Sequence, residues 1–150
     1  MSKVIEIAIS ESSGKVMKNV DSIESIAGKG LLNDRHFKED NKKNSQITLI
    51  EIENINYYNQ ISRTSILPKD FRRNIVTKDI RLNELLGSEF FIGKVKVKAH
   101  DLCQPCKELQ DKLKQENFVK KLLNRGGLRC EILTNGKIFI GDEIKYRVDL

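Results

Sequence analysis

The sequence contains little cysteine, proline or histidine, no tryptophan and no long apolar run. Three cysteines among 150 residues, an odd number, argue against the disulfide framework of a secreted protein and indicate a reducing compartment. No stretch approaches the ~20 apolar residues that a membrane span needs, and residues 1–10 lack the features of a signal peptide. We therefore expect a soluble, cytoplasmic protein without a membrane partner.

The formal charge of +6 suggests binding to nucleic acid, but the distribution of the charges argues against it. Lysines are spread along the chain among Glu and Asp residues, and the basic doublets are short: 42–43, 72–73 and 120–121. Aromatic residues make up only 6% of the sequence, which leaves few side chains to stack on bases. We expect no nucleic-acid partner, whereas a smaller anionic ligand needs only a few of these cations.

The hydrophobic pattern predicts many short strands and few helices. Alternation predicts strands over residues 4–9, 46–50 and 128–133, a strand with its connector over 16–26, and a hairpin over 89–97 that bends at Gly93. A further strand over 137–148 follows a two-residue hairpin at Asn135-Gly136. Helical spacing predicts helices over 51–61 and 107–124 and a helical turn over 82–86, while residues 38–45 form an exposed loop. The pattern favours one domain, 1–150, with a mostly β, barrel-like fold and two or three helices packed against it.

Two thiols three residues apart, Cys103 and Cys106, mark the candidate reactive centre. Pro105 favours the first position of a helix, and apolar residues from Leu109 onward recur at roughly i, i+4 spacing, so a helix begins close to Cys106. Free backbone N–H groups and the helix dipole stabilise a thiolate at such a position, which lowers a thiol pKa from its usual ~8.5. We therefore predict that Cys106 is the more nucleophilic thiol.

Three other interpretations of this cysteine pair remain open. A structural zinc site needs four ligands, and beyond the pair only Cys130, His36 and His100 are available, with no second CxxC and no HxxxH. A thioredoxin-like redox pair is chemically sound, although the surrounding pattern is not a βαβ unit. Inert packing is the third interpretation, and it is the one we favour for Cys130, which lies in an apolar strand.

The segment 71–76 places two arginines beside an asparagine. The default interpretation of an arginine doublet is a solvated basic turn. In the alternative interpretation, Arg72 and Arg73 bind a phosphate through bidentate guanidinium contacts, and Asn74 hydrogen-bonds the ligand or holds the loop.

A second polar group follows the turn at residues 28–30. Asp34, Arg35 and His36 form either an internal salt bridge with a capping histidine or part of a ligand pocket. We favour a structural role for Asp34 and a pocket role for Arg35, and the role of His36 stays undecided.

The glycine pair Gly126 and Gly127 follows the predicted helix. Glycine reaches positive φ and ends a helix, but it also lets a flat ligand approach the backbone, so the pair either ends the helix or lines the pocket as well. Arg129, two residues later, is a further candidate for a phosphate contact.

Several of these segments, in this order, resemble the MOSC domain, which takes its name from the C-terminal domain of molybdenum cofactor sulfurases. The matching stretches span nearly the whole chain, as in a small stand-alone bacterial protein of this family. They are GLLNDRH at 30–36, QITLIE at 46–51, FRRNIV at 71–76, LCQPCK at 102–107, GGLR at 126–129 and IGDE at 140–143.

The resemblance implies a β-barrel fold and binding of molybdenum cofactor, a molybdopterin. By its place after the segment 71–76, Cys106 matches the family cysteine that ligates molybdenum or carries sulfur as a persulfide, while Cys103 occupies a less constant position. The resemblance also makes a pterin phosphate the expected ligand of Arg72 and Arg73. We therefore expect a role in molybdenum cofactor metabolism or sulfur transfer.

The resemblance leaves open whether the protein turns over a substrate. The alternatives are a cofactor-dependent reductase of N-hydroxylated compounds and a delivery module without turnover. A reductase needs a partner electron donor, since the sequence has no ferredoxin-type cysteine set and no dinucleotide fingerprint. No Schiff-base lysine site for pyridoxal phosphate is visible either, so sulfur or cofactor is expected to come from a donor protein.

Overall fold

Two curved sheets carry most of the regular structure in the computed structural model, which describes residues 1–146. The strands are β1 (Lys3–Ile9), β2 (Lys18–Val20), β3 (Ser22–Ile26), β4 (Gly30–Leu31), β5 (Ile47–Glu51), β6 (Ile75–Lys78), β7 (Glu89–Ile92), β8 (Val95–Leu102), β9 (Leu128–Ile132), β10 (Gly136–Phe139) and β11 (Ile144–Tyr146). The helices of this part of the chain are α1 (Ile52–Ser62), α2 (Lys107–Leu113) and α3 (Phe118–Lys121). Short 3₁₀ turns cover Pro68–Phe71 and Leu82–Leu85.

The larger sheet has eight strands in the order β11-β7-β8-β9-β5-β6-β1-β2 and curls into a half-barrel. Its neighbouring strands pair antiparallel except β5 and β6, which run parallel because α1 carries the chain back across the sheet between them. The smaller sheet has the order β10-β3-β4. The predicted mostly β, barrel-like fold with two or three helices is confirmed.

The strands β5 and β6 bury both of their faces. Leu49 and Ile75 point into the main core inside the curled sheet, whereas their neighbours Ile50 and Val76 belong to a second core under the helices. A strand buried on both sides is apolar at most positions instead of at every second one, and three of the five residues of β5 are Ile or Leu. This second core fixes the helices against the outer face of the half-barrel.

The predicted hairpin at Asn135-Gly136 is wrong. Gly136 begins β10, which pairs with β3 in the smaller sheet, while β9 pairs with β5 and β8. The side-chain oxygen of Asn135 instead accepts a hydrogen bond from the Ala27 backbone N–H at 2.7 Å. The chain therefore crosses from one sheet to the other here.

Two other predicted elements are each divided in the structure. The predicted strand over 16–26 splits into β2 and β3, which belong to different sheets. The predicted strand over 137–148 splits into β10 and β11, and its residues 147–148 lie outside the described part of the chain.

The predicted helix over 107–124 is broken into α2 and α3. Lys114 and Asn117 adopt left-handed backbone conformations, with φ of 54° and 59°, and both interrupt helical hydrogen bonding. The break lets Phe118 pack edge-on to Tyr58, with ring centroids 5.1 Å apart, and beside Phe71. Tertiary packing of this aromatic group thus overrides the local helical pattern.

No helix among residues 1–146 is long and apolar enough to cross a membrane.

The aromatic group predicts a specific stability effect. Truncation of Phe118→Ala removes a ring that is 1% exposed, and should lower the free energy of unfolding by about 3–5 kcal/mol through lost burial and a residual cavity. Phe139→Ala is the matched control: this ring is half exposed, so its loss should change stability by roughly 0.5 kcal/mol or less. Urea denaturation followed by circular dichroism measures both, and equal effects would contradict the assignment of Phe118 to the core.

Candidate functional site

A cavity of about 220 Å³ opens to solvent where the loop after β1, the turn after β4, the segment before β6 and the start of α2 meet. Five cationic side chains and one carboxylate line it, which gives a formal charge of +4 with His36 neutral. The cavity therefore favours an anionic ligand. Its lining consists of Ser13, Gly14, Arg35, His36, Thr48, Arg72, Arg73, Cys103, Cys106, Glu108, Leu109, Lys112 and Arg129.

Cys106 is the exposed thiol of this cavity and caps the N-terminus of α2. Its backbone is extended, and its Sγ accepts a hydrogen bond from the Leu109 N–H at 3.4 Å. The sequence-based expectation that a helix begins close to Cys106 is confirmed. The cap orients the sulfur toward a backbone donor while leaving it open to reagents and ligands.

Cys103 lines the same cavity but is buried, with 2% of its surface exposed. Its N–H donates to the Gly127 carbonyl at 2.6 Å, which ties the end of β8 to the start of β9. Cys130 lies farther along β9, fully inside the main core, where burial raises the pKa of its thiol. The predicted packing role of Cys130 agrees with this position.

Gly126 and Gly127 do not line the cavity. They lie beneath the cysteine loop, where a Cβ on Gly126 would collide with the Cys103 carbonyl and one on Gly127 with the Leu49 carbonyl. Gly127 also has a φ of 103°, which side chains rarely adopt. The pair therefore allows two backbones to approach each other closely.

Arg35 is held at the cavity by a buried carboxylate. Asp34 accepts the Ser10 backbone N–H at 3.1 Å and lies 3.5 Å from a terminal nitrogen of Arg35. Burial of the Arg35 side chain, 10% exposed, lowers its pKa; Asp34 opposes this shift, whereas the nearby Arg72 adds to it. An arginine keeps its charge at neutral pH even when its pKa is lowered, so Arg35 brings a positive charge to the wall of the cavity.

Arg72 and Arg73 reach the cavity from the 3₁₀ turn that precedes β6. Arg72 has a φ of 64°, and one of its terminal nitrogens donates to the Lys15 carbonyl at 2.8 Å. Arg73 donates to the carbonyls of Phe71, Cys103, Gln104 and Gly126. Neither arginine has an acidic side chain within 4 Å among the ion pairs of residues 1–146.

Asn74 lies next to the cavity but is committed to the strands. Its side-chain oxygen accepts from the N–H and the hydroxyl of Thr48, both at 3.1 Å, and its amide donates to the Ala8 carbonyl. With 1% of its surface exposed, it offers nothing to a ligand. Of the two roles predicted for Asn74, the structure supports holding the loop.

Arg129 and His36 complete the polar wall. Arg129 has no carboxylate within ion-pair distance in the described part of the chain. The pKa of His36 is lowered, first by burial and then by the positive charge of Arg35, with Arg129 and Arg72 adding to the effect and Asp34 opposing it. These surroundings favour the neutral form of the His36 imidazole.

Sequence reasoning missed several residues of the cavity wall. Lys112 donates to the Gly14 carbonyl at 3.0 Å and, like Leu109, faces the cavity. A signal existed, since Cys106, Leu109 and Lys112 follow one another at intervals of three, which places them on one side of a helix. Nothing local predicted that Ser13 and Gly14, far away in sequence, would cover the same space.

A larger hollow of about 300 Å³ lies elsewhere, lined by Glu51, Glu53, Asp79 and Glu84 among others. Two of these carboxylates have structural roles: Glu51 accepts the Leu82 N–H at 3.1 Å, and Glu53 accepts the Asp79 N–H at 3.0 Å. Partial burial raises the pKa of Glu51. The hollow contains no thiol and no histidine, so we place the candidate chemistry at the smaller, cationic cavity.

Three solved structures share this fold. YuaD from Bacillus subtilis is 22% identical, with a TM-score of 0.76 and 98% of both chains covered. YiiM from Geobacillus stearothermophilus is 15% identical, with a TM-score of 0.78, 97% of this chain and 74% of that one covered. YiiM from Escherichia coli is 18% identical, with a TM-score of 0.71 and coverage of 99% and 71%. At these identities the likeness concerns the fold alone.

Sequence comparison identifies the family. No curated protein sequence matches the chain. The profile of the MOSC domain matches residues 33–145, a range that includes the cavity residues from Arg35 to Arg129 and well over half of the sequence. The motifs quoted above predicted this assignment, and the chain belongs to the MOSC domain family.

Proposed function

We propose that this protein binds molybdenum cofactor, or a molybdopterin precursor, in the cationic cavity, with Cys106 as its reactive sulfur. One observation carries the proposal: an exposed thiol shares a cavity with four arginines, and in the described part of the chain only one of them, Arg35, has a carboxylate partner. MOSC domains are associated with molybdenum cofactor enzymes. The positive charge of the cavity suits the phosphate of an anionic pterin, and the Cys106 sulfur suits the metal that the pterin carries.

The residues present fit such a group. Arg35, Arg72 and Arg129 offer guanidinium forks for a phosphate, which they bind bidentately. Among residues 1–146 no three metal-binding side chains converge, so Cys106 would hold a metal that the cofactor brings with it. The cavity is smaller than the ~300–1,000 Å³ of most ligand pockets, so it would enclose only part of such a cofactor.

The chain's own groups have distinct tasks in this proposal. The arginines bind and orient the anionic end, and the cap at Leu109 N–H holds the Cys106 sulfur in place. When bound, the cofactor supplies molybdenum redox chemistry. In the alternative function, the protein reduces an N-hydroxylated substrate. That reaction needs electrons from a partner protein.

Sulfur transfer is the second candidate, and the exposure of Cys106 favours it. In such a step the Cys106 thiolate attacks the outer sulfur of a donor protein's cysteine persulfide. A new S–S bond forms at Cys106, the donor's S–S bond breaks, and the donor leaves as a thiolate, so no external oxidant is needed. The partner in this case is a sulfur donor, and the protein is a carrier between enzymes.

The proposal predicts what the protein carries. Purified from a host that makes the cofactor, the wild type should contain pterin, released as a fluorescent oxidation product, together with molybdenum. Cys106→Ser should keep the fold, because serine also caps helices, but it should remove one Mo–S neighbour in X-ray absorption and abolish persulfide formation detected by mass spectrometry. A reductase additionally reduces an N-hydroxylated compound with a supplied electron donor, whereas a carrier does not.

Cys130→Ala is the matched control, since this thiol lies in the core and away from the cavity. It should retain pterin, molybdenum and persulfide formation per folded protein. Wild type that lacks both pterin and molybdenum, and also fails reconstitution with purified cofactor, would argue against cofactor binding. Normal metal and sulfur loading of Cys106→Ser would argue against the role of Cys106.

The histidine in the cavity predicts an anion effect that needs no cofactor. Burial, and after it the positive charge of Arg35 and its neighbours, lowers the pKa of His36, so sulfate bound between the arginines should raise that pKa toward its ordinary value of about 6.5. NMR titration of the two imidazoles measures this directly. His100, which lies 2.8 Å from Glu131 and does not line the cavity, is the internal control.

Chloride at equal ionic strength separates binding from screening. Sulfate should shift His36 more than chloride does, and Arg129→Ala should weaken that difference because it removes an adjacent cation. A shift of the same size at His36 and His100 would mean that sulfate acts only through general screening, and would contradict an anion site in this cavity.

A further inference from the structure

We infer that Arg73 is a positioning residue that holds the cysteine loop, residues 103–106, in place. The anion is bound by the other arginines of the cavity. Arg72 and Arg73 are adjacent in sequence and line the same cavity, but they have different roles. The effect of this positioning on cofactor binding or sulfur transfer rests on the proposed role of Cys106. The fastening itself does not depend on any ligand.

The hydrogen bonds of Arg73 define this role. Its Nε donates to the Gly126 carbonyl at 2.9 Å, and one terminal nitrogen donates to the carbonyls of Cys103 and Gln104, each at 3.4 Å. The other terminal nitrogen donates to the Phe71 carbonyl at 3.3 Å. A guanidinium has five N–H donors, so one remains for a ligand.

The pattern at Arg72 is different. The structure shows its side chain making one hydrogen bond, to the Lys15 carbonyl in an exposed loop. Most of its donors stay available for a phosphate, and none of its bonds reaches the cysteine loop. The adjacent arginines therefore divide two tasks, one facing the ligand and one facing the protein.

Few other hydrogen bonds hold the cysteine loop, so its position depends strongly on those of Arg73. Gln104 pairs with Asn124 through two hydrogen bonds of 2.8 and 2.9 Å, and the Cys103 N–H bonds to Gly127. Cys106 is held to α2 by its cap and by the Gln110 N–H, which donates to the Cys106 carbonyl at 3.1 Å. Arg73 joins both sides of this junction, because its acceptors lie in the loop and at Gly126 beneath it.

Cys103 and Cys130 report on the two possible consequences of losing Arg73. Cys103 is buried within the fastened loop, so local opening exposes it. Cys130 is buried in the main core, so only wider unfolding exposes it. Alkylation by iodoacetamide, followed by peptide mass spectrometry, therefore distinguishes a loosened loop from a damaged fold.

The experiment uses the full chain without cofactor. In the wild type Cys106 should be labelled first and both buried thiols slowly, in keeping with their exposure. Arg73→Ala should accelerate Cys103 labelling by roughly tenfold or more, the scale expected for lost hydrogen bonds from a charged donor, while Cys130 stays protected. Millimolar guanidinium chloride should restore the protection of Cys103 by occupying the vacated space, whereas sodium chloride should not.

Two further variants complete the test. Arg73→Gln retains one amide donor and should accelerate Cys103 labelling by less than Arg73→Ala does, which keeps the proposal testable if the alanine variant fails to fold. Arg81→Ala is the matched control, because this arginine is exposed and lines the acidic hollow instead. It should leave all three labelling rates unchanged.

Two outcomes would overturn the inference. Unchanged protection of Cys103 in Arg73→Ala would mean that the loop does not depend on Arg73. Equal acceleration at Cys103 and Cys130, without rescue by guanidinium, would mean that Arg73 supports the fold as a whole. Because no cofactor is present, either result leaves cofactor binding to be judged by the pterin and molybdenum measurements.

Discussion

The close approach of two backbones at Gly126 and Gly127 is the constraint on which the rest of the site depends. No side chain fits between these glycines and the carbonyls of Cys103 and Leu49. Because the gap is closed, the Cys103 N–H reaches the Gly127 carbonyl and Arg73 reaches the Gly126 carbonyl. The loop that carries Cys106 is therefore fixed directly to the middle of the sheet, at the beginning of β9.

The sheet and the site share a polar network as well as this contact. Asn74 connects β1, β5 and the segment before β6 through Ala8 and Thr48, at the border between the main core and the cavity. Buried amides are costly unless their groups are satisfied, and Asn74 makes hydrogen bonds with both its oxygen and its nitrogen. The network sets where the chain leaves the core, so that the preceding residue, Arg73, faces the cysteine loop.

The fold brings positive charges together in the cavity and leaves most of them without a carboxylate partner in the described part of the chain. Asp34 lies near Arg35, but its oxygens also accept backbone N–H groups, and Arg72, Arg73 and Arg129 have no carboxylate within ion-pair distance in residues 1–146. Holding like charges together opposes folding, and an anion bound among them offsets their repulsion. In our proposal this anion is the cofactor, with its metal or sulfur centre beside Cys106.

The sequence by itself determined the features that depend on neighbours along the chain. Alternation marked most strands, the pattern after Pro105 placed a helix start at Cys106, and the ordered motifs identified the family. Tertiary structure decided what depends on distant partners: the pairing of β10 with β3, the helix break before Phe118, and the Asn74 bond to Ala8, 66 residues away. Residue patterns specify which face of an element is apolar. The acceptor that a given N–H will meet depends on how those faces pack together, and local sequence does not encode that geometry.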